Sequence, residues 1–177
     1  MELSTSSNIH ASCGSRVFSL CESIEACWKA GYRVMDITTH AYTVGADPIL
    51  LQPGWRDWVK TVGEQLEHYP MRLNQSHGTF FLNRGDWDEQ AYIRCIERSI
   101  EVAGMLGIPW MVLHPICGIH VDGMDDQQII QTNVEFSSDS CLLWNNGEWG
   151  WPLRTRLSPI LTMALCLPGL PMLSALP

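Results

Sequence analysis

The sequence SIEVAGMLGIPWMVLHPIC, residues 99–117, gives the clearest indication of the fold of this chain. It begins as the end of an amphipathic helix that stops at Gly107, and it continues as an apolar strand that leads into His114 and Pro115. The run from Ile108 to His114 is almost continuously apolar, which is typical of a parallel strand covered on both faces. The stretch therefore predicts a helix–Gly–strand unit with a histidine at the exit of the strand.

A looser form of this unit occurs twice earlier in the chain. The first copy is a helix over Ser19–Ala30, which opens with a capping box and stops at Gly31, followed by a strand over Tyr32–Ile37. The second copy is a helix over Trp55–His68 and a short strand over Met71–Gln75. Strands that alternate with helices in this way predict βα units and a parallel sheet.

Two more helices and one more strand extend the pattern. One helix begins at Asp86, with Glu89 at the capping-box position, and the other runs from Asp125 to about Phe136. Met1–His10 is predicted as the first strand. The side chains expected to face the core are Ile93, Ile96, Ile100 and Ala103 in the first helix, Ile129, Ile130 and Val134 in the second, and Met35, Trp110 and Met111 in the strands.

Polar residues lie at the ends of three predicted strands: Asp36 and His40 at the first, His77 at the second and His114 at the third. The carboxyl ends of parallel strands meet at one edge of a barrel, where binding sites are built. A lone histidine there is more often a hydrogen-bonded structural residue, but two at equivalent exits favour a site, and neutral imidazole binds metals readily. We predict His77 and His114 as metal ligands and Asp36 and His40 as substrate-binding residues; a loop cap is the alternative for Asp36.

The composition limits the partners. The chain has 177 residues, 46% hydrophobic and 17% charged, with a net charge of −8 and a pI near 5.1. Its 11 lysines and arginines are scattered, so we predict no nucleic-acid binding.

Seven cysteines without a CxxC motif predict reduced thiols, and the N-terminus shows no secretory signal, so we expect a cytoplasmic protein. Pro159, Pro168 and Pro171 interrupt the last apolar run, so no membrane-spanning helix is predicted.

Three segments, SIEVAGMLGIPWMVLHP, QSHGTF and AGYRVMDI, resemble the xylose isomerase-like TIM barrels. That superfamily contains sugar-phosphate isomerases and epimerases, and also the metal-dependent apurinic endonucleases. The resemblance covers Glu22–Phe136 and implies an α/β fold of TIM-barrel type, of which this chain has the N-terminal half with about four βα units. It also implies a divalent metal ion (Mn, Mg, Co or Zn) and a small-molecule sugar or sugar phosphate as the substrate.

The resemblance also implies roles for the two histidines. In that superfamily the histidines after strands three and four line the site, and in the endonuclease branch they bind metal; His77 and His114 match those positions. The principal ligands, a Glu, an Asp, a His and a Glu, come from later strands, and their ion polarises the sugar oxygens while an acid–base pair moves a proton. Because a complete barrel needs about 250 residues, we expect weak or no catalysis from this chain, with the catalytic base outside it.

The sequence changes character after Phe136. Tryptophans and prolines crowd the last part of the chain, and residues 157–177 carry no charge. The predicted domains are therefore a partial barrel over residues 1–136 and an irregular, non-homologous tail over residues 137–177. Four interpretations of the tail are open: a native irregular tail, a membrane anchor, an alternative exon, and translation in the wrong frame.

The genetic code favours the last of these interpretations. Tryptophan has a single codon, so a one-base shift forces Trp144–Asn145 to read as Glu, Trp149–Gly150 as Gly and Trp151–Pro152 as Ala. With permitted codons elsewhere, the shifted frame reads as a helix, a turn and a strand ending in Glu–Asn, which is the fifth unit that the resemblance implies. We therefore expect a frameshift or mis-splicing near Phe136. A genomic sequence in which no shifted frame encodes this stretch would contradict that expectation.

Three functions are compatible with these patterns. The first is a metal-dependent sugar isomerase or epimerase, and the second is an apurinic endonuclease-like hydrolase, which the acidic charge disfavours. The third is a non-catalytic half-barrel that acts as an interaction module. An open half-barrel leaves strand edges unpaired, so we also expect a homo-oligomer formed through those edges.

Overall fold

The computed structural model of the chain describes residues 3–8, 18–43, 48–80, 89–117 and 121–145. Strands and helices alternate within these residues, in the order β1 (Ser4–Ser6), α1 (Leu20–Lys29), β2 (Val34–Thr38), α2 (Trp55–His68), β3 (Arg72–His77), α3 (Glu89–Met105), β4 (Met111–Val112) and α4 (Asp126–Asn145). Two short 3-10 turns, His40–Tyr42 and Ile49–Leu51, lie between β2 and α2. None of the helices in this part of the chain combines the length and the apolar character that crossing a membrane requires.

The strands form one parallel sheet in the order β1–β2–β3–β4, so each strand lies next to the strand before it. The register pairs Ser6 with Asp36, Thr38 with His77, and His77 with Val112. This sequential order is that of a barrel, because a doubly wound sheet reverses its strand order at a switch point. The predicted fold class is confirmed: the chain has a parallel α/β fold of barrel type with four βα units.

Local sequence signals set the ends of two helices. At the start of α1, the Glu22 N–H donates to the Ser19 hydroxyl oxygen at 3.2 Å and the Ser19 N–H donates to the Glu22 carboxylate at 2.9 Å. Gly31 follows the helix with φ at 96°, a left-handed conformation that glycine adopts without steric cost. The same reciprocal pairing opens α4, where the side chains of Asp125 and Gln128 each accept the other residue's backbone N–H.

The core lies between one face of the sheet and the helices. Met35 and Ile37 of β2 are fully buried and pack against residues of α1, α2 and α3: Leu20, Ile24, Cys27, Val62 and Ala103. Because side chains alternate along a strand, Asp36 and Thr38 lie on the opposite face of the sheet. We call that opposite face, which holds Asp36 and Thr38, the inner face. Cys27 and Cys95 are free thiols, and both are buried.

The buried side of α3 agrees with the sequence at three of four positions. Ile96, Ile100 and Ala103 are buried as predicted, but the Ile93 side chain is 44% exposed. Tyr92, which is 3% exposed, occupies the core position in that turn of the helix and packs with Ile96 and Ile100. Ile93 is therefore displaced to the solvent side.

The last strand, β4, is shorter and more exposed than the sequence predicts. Met111 and Val112 alone form it and both are half-buried, while the Trp110 side chain is 44% exposed. The prediction of a strand covered on both faces is therefore wrong, and so is the placement of Trp110 in the core. The physical reason is position, because among the described residues β4 is an outer strand that pairs with β3 alone.

Helix α4 turns a different face to the core than predicted. Ile130 and Val134 are 45% and 46% exposed, whereas Asn133 is buried and Ile129 is half-buried. The cause is the Asn133 amide, which bonds both backbone groups of Ile116 and thereby draws its own side of the helix inward. The prediction that Ile130 and Val134 point inward is wrong for this reason.

Helix α4 also runs further than predicted. It continues past Phe136 to Asn145, so residues 137–145, which the sequence predicts as irregular, are helical. The capping box at Asp86 and the chain from residue 146 onward lie outside the described residues. Of the strand predicted over Met1–His10, residues 3–8 are described, and β1 (Ser4–Ser6) forms within them. The domain boundary at residue 136 and the frame change proposed there stay predictions.

Candidate functional site

The carboxyl ends of β3 and β4 bring the two predicted metal-binding histidines together. His77 is the last residue of β3, and His114 lies two residues beyond Val112, the β4 partner of His77. Their rings are nearly parallel, with 27° between the planes and 6.0 Å between the centroids. Residues that are far apart in sequence therefore meet where the barrel topology predicts a site.

His40 joins this pair through Phe80. The 3-10 turn after β2 places His40 so that its Nδ1 accepts the Phe80 N–H at 3.1 Å, and the centroids of the two rings lie 4.5 Å apart. The Phe80 ring in turn meets the His114 ring edge-on, with 4.1 Å between centroids. Because Nδ1 of His40 accepts, the proton of its neutral ring is on Nε2. We call His40, His77, Phe80 and His114 the aromatic cluster.

Asp36 lies on the inner face and reaches the aromatic cluster through a chain of hydrogen bonds. Its carboxylate accepts from the Ser4 hydroxyl at 3.3 Å and from the Gln75 amide at 3.0 Å. The same Gln75 nitrogen lies 3.3 Å from Nε2 of His77. Sequence reasoning missed Gln75, although its position two residues before His77 in one strand was the available signal that both side chains share a face.

Four buried hydroxyl residues join the aromatic cluster to the body of the fold: Thr39, Thr43, Thr79 and Ser99. Thr39 donates to the His77 carbonyl at 2.9 Å and lies 2.8 Å from the hydroxyl of Ser99 on α3. Thr43 donates to the His40 carbonyl at 2.9 Å and lies 2.7 Å from Thr79. Each of these histidines is therefore held by its backbone to a buried hydroxyl, an arrangement that sequence periodicity does not reveal.

Gly78 lets the exits of β3 and β4 approach each other. Its N–H donates to the Val112 carbonyl at 2.9 Å. A Cβ at this position would lie 2.9 Å from Cε of Met111 and 3.0 Å from Cδ2 of Leu113, distances at which the neighbouring atoms must move. Glycine at residue 78 therefore keeps the two histidine-bearing exits close.

Burial favours the neutral form of two histidines in the aromatic cluster. Burial lowers the pKa of His40, and burial with the neighbouring imidazoles of His77 and His40 lowers the pKa of His114. Nε2 of His114 is buried and has no hydrogen-bond partner within the described part of the chain. Because a buried polar atom without a partner is costly, a ligand at this nitrogen would be stabilising.

The residues that the structure describes supply part of a metal site. No three His, Cys, Asp or Glu residues among them are placed to hold an ion together. His77 and His114 offer imidazole nitrogens at adjacent strand exits, and Nε2 of His114 is free of other partners in this part of the chain. Two imidazoles alone make no metal site, so a divalent ion held by His77 and His114 would need its other ligands from outside the described residues.

Asn133 holds the segment that follows His114. Its Oδ1 accepts the Ile116 N–H at 2.7 Å, and its amide nitrogen donates to the carbonyls of Ile116 at 3.1 Å and Ile129 at 3.0 Å. These bonds attach the backbone two residues beyond His114 to α4. Sequence reasoning missed Asn133, because a lone polar residue on the buried side of a helix gives no periodic signal.

No protein-family model matches the chain, and no curated protein matches it either. One solved structure to which it is similar is the apo form of the 3-keto-D-glucoside 4-epimerase YcjR from E. coli. The TM-score is 0.48 at 14% sequence identity, and the match covers 82% of this chain and 51% of the epimerase chain. The chain thus spans about half the length of that epimerase. A likeness this distant assigns no family, so the superfamily named from the three sequence segments stays a prediction.

Proposed function

We propose that the chain is the N-terminal part of a sugar or sugar-phosphate isomerase or epimerase, with its site at the carboxyl ends of the parallel strands. The observation that carries the proposal is the pair of His77 and His114, whose ring centroids lie 6.0 Å apart at adjacent exits and which leaves one buried nitrogen unpartnered in the described chain. The two segments that contain these histidines are among those that resemble the xylose isomerase-like barrels, and this supports the same function.

Isomerisation and epimerisation of a sugar move a proton at a carbon next to a carbonyl group. A divalent ion, held in part by His77 and His114, would polarise the sugar oxygens when bound. Nε2–H of His40 is a hydrogen-bond donor, the Asp36 carboxylate is an acceptor on the inner face, and Phe80 adds an apolar wall. Small-molecule sites typically combine a few polar groups, which orient the ligand, with an apolar surface.

We expect metal binding to be weak and turnover to be slow in this chain. Two imidazoles are fewer ligands than the three that catalytic metal sites have from protein. The acid–base pair that moves the proton belongs, by the resemblance, to later strands. Catalysis as fast as that of a complete barrel enzyme would contradict this expectation.

A metal titration tests the metal-binding part of the proposal. Calorimetry with Co²⁺ or Mn²⁺ is expected to show weak binding by the wild-type chain and none by His77→Ala or His114→Ala. His68→Ala is the matched control, because His68 is an exposed histidine at the end of α2 that packs edge-on to Tyr69. Equal binding by all four proteins would contradict a site at His77 and His114.

A proton-exchange assay tests the reaction. The metal-loaded chain is incubated in D₂O with a panel of aldoses, ketoses and their phosphates, and deuterium at the carbon next to the carbonyl is followed by NMR. Slow incorporation is expected with at least one sugar, and it should disappear in His114→Ala. Exchange that persists unchanged in that variant would show that the reaction does not use this site.

The second candidate is a non-catalytic interaction module, and the outer strands of the sheet favour it. Among the described strands, β1 and β4 are the two edges, and an unpaired edge is a template for another chain. This candidate predicts a stable oligomer and a melting temperature that does not respond to metal. A rise in melting temperature on adding metal, lost in His77→Ala, would favour the enzyme instead.

A further inference from the structure

Gln75 lies between the Asp36 carboxylate and the His77 ring, and the chemistry proposed above gives it no role. Its Nε2 lies 3.0 Å from Oδ2 of Asp36 and 3.3 Å from Nε2 of His77. All three side chains are half-buried; Asp36 lies in the middle of β2, and Gln75 and His77 lie in the second half of β3. One amide nitrogen therefore bridges a carboxylate and an imidazole.

The positions of the protons on Asp36, Gln75 and His77 follow from which atoms can donate a hydrogen bond and which can accept one. A carboxylate has only acceptor lone pairs, so the Gln75 atom that faces Asp36 is the amide nitrogen and not the carbonyl oxygen. That nitrogen has two protons and no lone pair to offer, so it also acts as the donor toward His77. Two donors cannot pair with each other, so Nε2 of His77 is the unprotonated nitrogen of that ring.

We propose that Gln75 is a positioning residue which, oriented by Asp36, fixes His77 in the neutral tautomer with its proton on Nδ1. The Ser4 hydroxyl, which donates to the other oxygen of Asp36 at 3.3 Å, helps to hold the carboxylate in place. The inference rests on the proposed function only in treating His77 as a site residue, since the hydrogen bonds exist without it.

The tautomer decides what His77 can do in the site. Nδ1–H is a donor suited to a sugar oxygen, while Nε2 has the lone pair that a metal ion needs. A metal ion that binds His77 through Nε2 must displace the Gln75 amide, so Gln75 competes with the metal for this nitrogen. His40, whose Nδ1 accepts from Phe80, has the opposite tautomer, so the site presents two histidines with their protons on different nitrogens.

NMR of the imidazole nitrogens tests the proposal on the full wild-type chain without metal or substrate. Long-range ¹H–¹⁵N correlation distinguishes a protonated from an unprotonated ring nitrogen at about pH 8, above the usual histidine pKa of about 6.5. We expect His77 to be protonated on Nδ1, and His40, the internal reference, on Nε2. A His77 ring protonated on Nε2 would overturn the proposal.

Two substitutions at residue 75 show whether Gln75 is the cause. Gln75→Leu removes both hydrogen bonds and is expected to leave His77 as a mixture of tautomers, and Gln75→Met, which keeps the length of the side chain without its amide, should do the same. Asn74→Ala, the control, alters the neighbouring residue of β3, whose side chain accepts from Arg72 at 3.4 Å, and should leave His77 unchanged. An unaltered His77 spectrum in both variants would overturn the proposal, and backbone amide spectra of the same samples confirm that each variant is folded.

This proposal and the proposed function fail in different experiments. A chain that binds no metal and exchanges no sugar proton contradicts the proposed function but leaves the proton on Nδ1 of His77. A proton on Nε2 of His77 contradicts the role of Gln75 but does not change the results expected from the metal titration and the exchange assay.

Discussion

The His114 side chain is packed into the protein although one of its ring nitrogens has no hydrogen-bond partner in the described chain. The ring packs against Phe80 and lies near His77, and its Nε2 has no hydrogen-bond partner in the described chain. An unsatisfied buried group of this kind typically costs about 1–3 kcal/mol. A metal ion or a sugar hydroxyl at this nitrogen would remove that cost, which makes His114 the position where ligand binding should stabilise the fold.

The lowered pKa values of His40 and His114 predict a loss of stability in acid. A histidine whose folded-state pKa lies below its unfolded value of about 6.5 binds more protons when unfolded. Its contribution is therefore present above the unfolded pKa and is lost as the pH falls from there through the folded pKa. When thermal unfolding is measured between about pH 8 and pH 5, the melting temperature should decrease as the pH is lowered past about 6.5.

The variant His114→Phe tests the origin of that pH dependence. It keeps an aromatic ring beside Phe80 but cannot titrate, so its melting temperature should fall less steeply in acid. The control is His68→Phe, at an exposed position at the end of α2, which should behave like the wild type. Identical slopes in all three proteins would show that His114 is not responsible.

Gly78→Ala should weaken the fold near the site. The new Cβ would meet Cε of Met111 at 2.9 Å and Cδ2 of Leu113 at 3.0 Å, and since Cε ends a flexible side chain we expect a cost of about 1 kcal/mol. The control is Gly63→Ala in α2, where nothing lies within 4 Å and alanine should add about 0.5–1 kcal/mol. Urea denaturation measures both changes, and a Gly78→Ala protein as stable as Gly63→Ala would contradict the close approach of the two exits.

At the scale of whole elements, the sequence best predicts the helix ends that are set by contacts between neighbouring residues. The capping box at Ser19 and the left-handed Gly31 bound α1 within a residue or two of the prediction, because both act through neighbouring backbone groups. The exposed Trp110 shows the limit of that reasoning. Apolar residues look the same in a covered strand and in an outer strand, and only the neighbouring elements decide between them.

In the candidate site, too, the sequence predicts the residues placed by the strand order but not those placed by contacts between distant residues. His77 and His114 could be predicted from sequence because parallel strands place their exits at one edge. Phe80 and Asn133 could not, because each acts through a partner distant in sequence, His40 and the backbone of Ile116. For Gln75 the strand pattern gives the face that it shares with His77 but not its contact with Asp36. A single sequence carries no signal for such pairings beyond shared strand faces.

Asn133→Ala should loosen the connection between the β4 exit and α4. It removes the partners of the Ile116 N–H and carbonyl, and we expect a loss of about 1–3 kcal/mol in unfolding free energy together with faster hydrogen exchange at the Ile116 amide. Gln131→Ala is the control on the same helix, since Gln131 is exposed and bonds the exposed Glu135. Slow exchange at Ile116 in Asn133→Ala would contradict this role.

At the scale of the whole molecule, the outer strands predict self-association. We expect light scattering after size exclusion to give a mass above the 20.0 kDa of one chain, rising with concentration. Val112→Lys puts a charge on the outer strand β4 and should shift the protein toward the monomer. Ile130→Lys, on the exposed side of α4, is the control. Dissociation by Ile130→Lys and not by Val112→Lys would place the contact on α4 instead.

Helix α4 passes residue 136 without a break, and this makes it a natural joint between two pieces of sequence. The hydrogen bonds of a helix join backbone groups, so a helix can continue through any following sequence whose side chains favour it. The required anchors are few: Phe136 lies 6.5 Å from the Tyr92 ring, and Ser140 is buried. We therefore expect that the second half of a barrel can be joined to this helix in phase if Phe136 and Ser140 are kept.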